Sequence, residues 1–155
     1  MFAWMIMPFQ RYFEFSGRSR RKEFWLFALL NTLVFVGIFA LRGATGGASM
    51  ADIEAADAAG TLAVYSWMFS GVGILLGIWW LIVIVPGIAV TVRRLHDRDL
   101  SGWWYLGVIV GSMIPFLGVL VSLAFLIVMA LPGTPGENRF GPDPKGGAPV
   151  AAVFN

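Results

Sequence analysis

The residues able to do chemistry fall into three charged blocks. The first is Arg18, Arg20, Arg21 and Lys22, closed by Glu23. The second runs Arg93-Arg94-Leu95-His96-Asp97-Arg98-Asp99 and holds the chain's one histidine. The third sets Asn138, Arg139 and Asp143 in a frame of Pro and Gly. Guanidinium groups beside carboxylates can form ion pairs and recognise phosphate. With one His and no Cys, a transition-metal site would have only carboxylates as its other side-chain ligands, so no metal is expected. No Ser-His-Asp arrangement is legible from spacing, and His96 reads as a structural residue held by Asp97 or a backbone carbonyl. No Gly-rich loop follows a strand pattern, and a few cations do not make a nucleic-acid surface. The chain is therefore expected to have no catalytic residue, no cofactor and no nucleic-acid partner.

The placement of the blocks suggests what they do. Cations at the start of an apolar segment oppose the helix dipole, so helix stability does not explain them, whereas retention on the cytoplasmic side does. Each can add about 1 kcal/mol of attraction to an anionic leaflet. Arg93 and Asp97, four apart, are placed to pair on one helix face. Arg18, Arg21, Glu23, Arg93, Arg94, His96, Asp97, Asn138, Arg139 and Asp143 form the candidate polar interfacial cluster. Within it, a charge reversal at Glu23 should be partly rescued by one at Arg94.

The elements that must position these groups are apolar. Of 155 residues, 58% are hydrophobic and 13% charged, against about 25% charged in a soluble domain. Mean hydropathy is +0.77. Three stretches carry no charge: Phe24–Leu41 (18 residues), Thr61–Val92 (32) and Leu100–Gly136 (37). A spanning helix needs about 20 apolar residues. The expected fold is an all-α, polytopic helical membrane protein with three membrane segments. It divides into an N-terminal interfacial segment with the basic cluster (1–23), a transmembrane helical domain (24–131) and a Pro/Gly-rich tail (132–155).

Met1–Phe15 has its basic cluster after the apolar stretch rather than before it. It reads as an interfacial segment anchored by Trp4, Phe9, Tyr12 and Phe13, and not as a signal peptide. The loop 42–60 carries Asp52, Glu54 and Asp57. Pro86 and Pro115 should kink or interrupt their helices. Gly73, Gly77, Gly107 and Gly111 make two GxxxG pairs, suited to close packing within the chain or to a homo-oligomer. Asn31, an amide inside a span, should bond to a neighbouring helix. The third segment reads as a single kinked span with the tail outside, away from the basic blocks. The alternative is a break near Pro115 and Gly118 into a hairpin, which gives four segments and brings the tail back inside.

Three ordered motifs carry a resemblance to a family. They are Phe15-Ser-Gly-Arg18-Ser-Arg-Arg21-Lys-Glu23-Phe24-Trp25; Arg93-Arg94-Leu95-His96-Asp97 followed by Ser101-Gly102-Trp103-Trp104; and Pro132-Gly133-Thr-Pro135-Gly136 followed by Asn138-Arg139-Phe140-Gly141-Pro142-Asp143-Pro144. In order and spacing this resembles the small bacterial inner-membrane proteins grouped as domain of unknown function 805. The connector Arg98-Asp99-Leu100 departs from the Gly-containing form of that family. The resemblance implies an inner-membrane location and a helical fold, and no activity. The first functional expectation is a non-enzymatic protein that organises lipid or partner proteins through a charged cytoplasmic face, in contact with the bilayer and its anionic headgroups. The second is a small oligomeric transporter or channel component. The polar groups Asn31, Thr32, Ser66, Ser70, Ser112 and Ser122 offer little of the water-accessible path that the second requires.

Overall fold

The computed structural model describes residues 1–45, 54, 60 and 71–146. The acidic residues Asp52 and Asp57, with Ser66 and Ser70, lie outside the described residues. Among those described there are five α-helices and no strand: α1 (Phe2–Gln10), α2 (Arg21–Ala44), α3 (Ile74–Asp97), α4 (Trp103–Ser112) and α5 (Leu117–Ala130). A single 3-10 turn, Gly71–Gly73, leads into α3.

Two stretches, Arg21–Ala44 and Gly71–Asp97, are long and apolar enough to cross a bilayer. Only 6% and 28% of their most apolar windows are buried, the opposite of a soluble core helix. Leu29, Leu33, Val36, Trp80 and Leu81 stand exposed on them, as lipid-facing side chains do. Pro86 does not interrupt α3, which runs unbroken from Ile74 to Asp97 around it. Its side chain is buried, a setting in which membrane helices tolerate proline.

The chain divides into two compact units. Ala28–Ile84 forms one; within it Trp79 Nε1 donates to Asn31 Oδ1 at 3.1 Å, the interhelical bond expected of Asn31. Met1–Phe27 with Val85–Asn155 forms the other and carries all three charged blocks. Its apolar core includes Phe27, Ala89, Val90, Leu95 and Met129, with Phe9 edge-on to Phe27 at 5.4 Å.

The third apolar stretch does not form one kinked span. It breaks into α4 and α5, which pack against each other as a hairpin, with Tyr105 stacked on Phe125 and Gly111 against Val121. The break has a local cause. Pro115 cannot donate to the helical ladder, and Phe116 adopts φ +64°, outside the helical basin. Gly118 closes the turn: a Cβ there would collide with the carbonyl of Ser112. At 1.5 Å per residue, α4 is about 15 Å long and α5 about 21 Å, so neither crosses a core of about 30 Å. The tip is apolar and open, with Phe116 92% and Met113 78% exposed.

Candidate functional site

The charged blocks converge at the end of α3. Over its last turn Arg93 and Arg94 are fully buried, and Asp97 nearly so. Desolvation of this kind needs countercharges and acceptors close by, and Arg93 finds them for both Nη atoms, while its Nε has no hydrogen-bond partner among the described residues. Arg93 donates through Nη2 to Glu23 Oε1 at 2.7 Å, and through Nη1 to the carbonyls of Glu14 and Arg11. Its own carbonyl accepts the Ser19 N–H at 3.1 Å. The other oxygen of Glu23 accepts the Ser19 hydroxyl at 2.7 Å. One guanidinium thus ties the segment before α2 and the first turn of α2 to α3.

Asp97 is the second node. Arg18 reaches its Oδ1 through Nε at 3.0 Å and Nη2 at 2.9 Å, while Arg94 Nη1 bonds to Oδ2. Arg18 also donates to the tail carbonyls of Thr134, Gly136 and Gly141. The carbonyl of Asp97 accepts both the N–H of Thr134, at 2.8 Å, and its hydroxyl. Gly133 lies so close to the Asp97 carboxylate that any Cβ would overlap it.

Three buried cations (Arg18, Arg93, Arg94) face two buried carboxylates (Glu23, Asp97). The excess positive charge meets the negative end of a helix. Arg94 donates to the carbonyls of Met129 and Leu131, and Arg21 to that of Ala130 at 3.3 Å. These are among the last carbonyls of α5, which no intrahelical N–H can reach. A cation there suits both the orphan acceptors and the dipole.

His96 sits beside this core. Its Nδ1 lies 3.1 Å from the carbonyl of Gly17, and since a carbonyl only accepts, Nδ1 carries the proton. The ring stacks on Phe140 with centroids 3.8 Å apart and planes 4° from parallel. Asn138 donates to the His96 carbonyl and to Thr134 Oγ1, both at 2.9 Å. The described part of the tail, residues 132–146, is docked against the end of α3.

Arg18, Glu23, Arg93, Arg94 and Asp97 form the buried core of the site, with His96 and Asn138 at its margin. Arg21, Arg139 and Asp143 lie outside it. Arg21 is exposed at the end of α5, and Arg139 forms an exposed pair with Asp99 at 3.1 Å. Asp143 accepts the N–H of Lys145 at 2.9 Å; that bond is the main cause holding its carboxyl below the usual range, with Arg18 a lesser one. Two expected pairings are corrected. Arg93 pairs with Glu23 and not with Asp97, and Asp97 is taken by Arg18 and Arg94. Rescue of a Glu23 reversal therefore belongs to Arg93, not to Arg94. Ser19, Gly133 and Thr134 are site residues that the sequence reading passed over. The spacing Ser19-x-x-x-Glu23 and the Pro132-Gly133-Thr134 turn were the available signals.

The geometry offers ion pairing and helix capping. Among the described residues no three His, Cys, Asp or Glu side chains come close enough to share a metal ion.

The family model described as "Protein of unknown function (DUF805)" matches residues 12–142. The chain is 39% identical over 142 residues to inner membrane protein YhaH of Escherichia coli (strain K12), covering 92% of this chain and 96% of that one. It is 36% identical over 145 residues to inner membrane protein YhaI of the same strain, covering 94% and 98%. It is 31% identical over 149 residues to the uncharacterized protein YiiR, covering 84% and 86%. No solved structure matches.

Proposed function

The chain belongs to the DUF805 family of helical membrane proteins, and from that premise we propose that it is a non-enzymatic inner-membrane protein that organises anionic lipid or partner proteins through a charged cytoplasmic face. The observation that carries this reading is the division of labour among its cations. Arg18, Arg93 and Arg94 are spent internally on carboxylates and carbonyls. Arg21 and Lys22 stay exposed beside them at the start of α2. The buried set builds a rigid platform, and the exposed set is what that platform presents.

The topology that fits this reading has α2 and α3 crossing the bilayer and the α4–α5 hairpin entering and returning. The α5 end of the hairpin bonds to the charged cluster, the α4 end follows α3 through the short 98–102 connector, and the tip shows Met113, Ile114 and Phe116, which suit hydrocarbon and not water. The N-terminal segment, the 98–102 connector and the tail then share the cytoplasmic face. The polar groups inside the helices give less support to a transport path: Thr32 bonds to the carbonyl of Ala28, Ser112 to that of Ile109, and Asn31 to Trp79. Purification in mild detergent, with bound lipids and proteins identified by mass spectrometry, tests the reading. Enrichment of acidic phospholipid or a stoichiometric protein partner is expected. Lipid at bulk composition with no partner would overturn it.

A further inference from the structure

The start of α2 forms a groove with α1. It encloses about 700 Å³, within the range of ligand sites, and is lined by Met1, Trp4, Arg21, Lys22, Trp25 and Leu26. Helix geometry explains its composition. Arg21 and Trp25 are four apart, as are Lys22 and Leu26, so cations and apolar groups share one face with the cations a turn nearer the polar end. Trp4 of α1 and Met1 just before it supply the facing wall. Trp4 is held in place by the Arg20 guanidinium, 5.5 Å from its ring centre. Arg21 spends one N–H on the Ala130 carbonyl and has others to offer. Lys22 is exposed and has no carboxylate paired with it among the described residues.

The groove therefore has two cations at its mouth and two indoles with a leucine below them. We propose that it binds one anionic phospholipid: Arg21 and Lys22 take the headgroup phosphate, and the upper acyl chain lies along Trp25, Leu26 and Trp4. This rests on the functional reading above and narrows it to one site. Charge complementarity selects an acidic lipid, because two cations with no carboxylate partner among the described residues gain little from a zwitterionic headgroup. The depth order selects a lipid over a soluble phosphate, because Trp25 and Leu26 lie where the apolar run of α2 begins.

Native mass spectrometry of the full chain released from nanodiscs of phosphatidylglycerol and phosphatidylcholine tests the assignment. The parent protein should retain one phosphatidylglycerol that excess inorganic phosphate does not displace. The double variant R21Q/K22Q should weaken that binding about thirtyfold, read from lipid titrations, which is ~2 kcal/mol at tenfold per 1.4 kcal/mol and matches about 1 kcal/mol for each cation. R139Q/K145Q removes the same charge from elsewhere on the surface and should leave occupancy unchanged. A melting curve shows that each variant is folded. Equal loss from both pairs would overturn the groove while leaving a general acidic-lipid surface standing. Retention of both lipids in bulk ratio by the parent would overturn the groove, and the acidic-lipid reading with it.

Discussion

Glu23→Gln removes one charge from the buried cluster and almost none of its volume. Gln keeps an acceptor for Arg93 Nη2, and the Ser19 hydroxyl can turn to accept from the new amide, so the hydrogen-bond count survives. What is lost is the countercharge of a guanidinium with 0% of its side chain exposed. Removing one partner of a buried ion pair costs about 3–5 kcal/mol, because the remaining charge stays buried and uncompensated. Adding Arg93→Met removes that charge. It also leaves the Glu14 and Arg11 carbonyls without their donor, at about 1–3 kcal/mol. The double variant should therefore lose less than the sum of the single losses, with a coupling of about 2–3 kcal/mol. Reversible unfolding in mixed SDS–detergent micelles, followed by tryptophan fluorescence, measures all four corners of the cycle. A loss below about 1 kcal/mol for E23Q, or strict additivity with R93M, would refute the role given to this pair.

Other consequences follow from the same geometry. Gly133→Ala forces a methyl group onto the Asp97 carboxylate and should destabilise by at least about 2 kcal/mol; a neutral result in the same assay would show that the tail does not dock as described. Asp99 holds φ +58°, a backbone conformation that Gly adopts at no steric cost. Asp99→Gly relieves about 1–2 kcal/mol of left-handed strain and gives up an exposed ion pair with Arg139 worth about 0–1 kcal/mol. It should therefore stabilise by about 0–2 kcal/mol, and a clear loss would contradict this. Glu14 is held below the usual carboxylate range, first by the side-chain hydrogen bond from Arg11. A lowered folded pKa gives stability that is complete above the unfolded value of about 4.3 and is lost as pH falls through the folded one. Melting temperature should fall on acidification through that window, and Arg11→Gln should flatten the Glu14 part of the slope.

Much of this was legible in the sequence. The uncharged runs foretold that α2 and α3 would be long and apolar. The charged blocks contain Arg18, Glu23, Arg93, Arg94 and Asp97, which gather, but also Arg21, Arg139 and Asp143, which do not, and their spacing does not say who pairs with whom. Helical spacing puts Arg93 and Asp97 on one face, yet Glu23, seventy positions away, takes Arg93 instead. No local rule ranks an i,i+4 partner against one delivered by another helix. The hairpin was harder still. Whether the run from Trp103 to Leu131 crosses once or folds back depends on what satisfies its last carbonyls. The donors are Arg94 and Arg21, 35 and 109 positions from their acceptors. Gly133 and Thr134 were missed because their importance lies in how closely the tail approaches Asp97, which spacing does not reveal.

The central claim is that the basic segment before α2, the connector after α3 and the tail after α5 share one face of the membrane. The chain has no cysteine, so single-cysteine variants give an unambiguous readout. S16C, D99C and K145C place a thiol in each of the three exposed segments, and S49C places one between α2 and α3. An impermeant maleimide applied to intact cells, and then to inverted membrane vesicles, measures the side of each. S16C, D99C and K145C should all be protected in cells and labelled in inverted vesicles, with S49C showing the reverse. Labelling of K145C in intact cells while S16C stays protected would place the tail on the far side and contradict the hairpin, the docked tail and the shared charged cluster together.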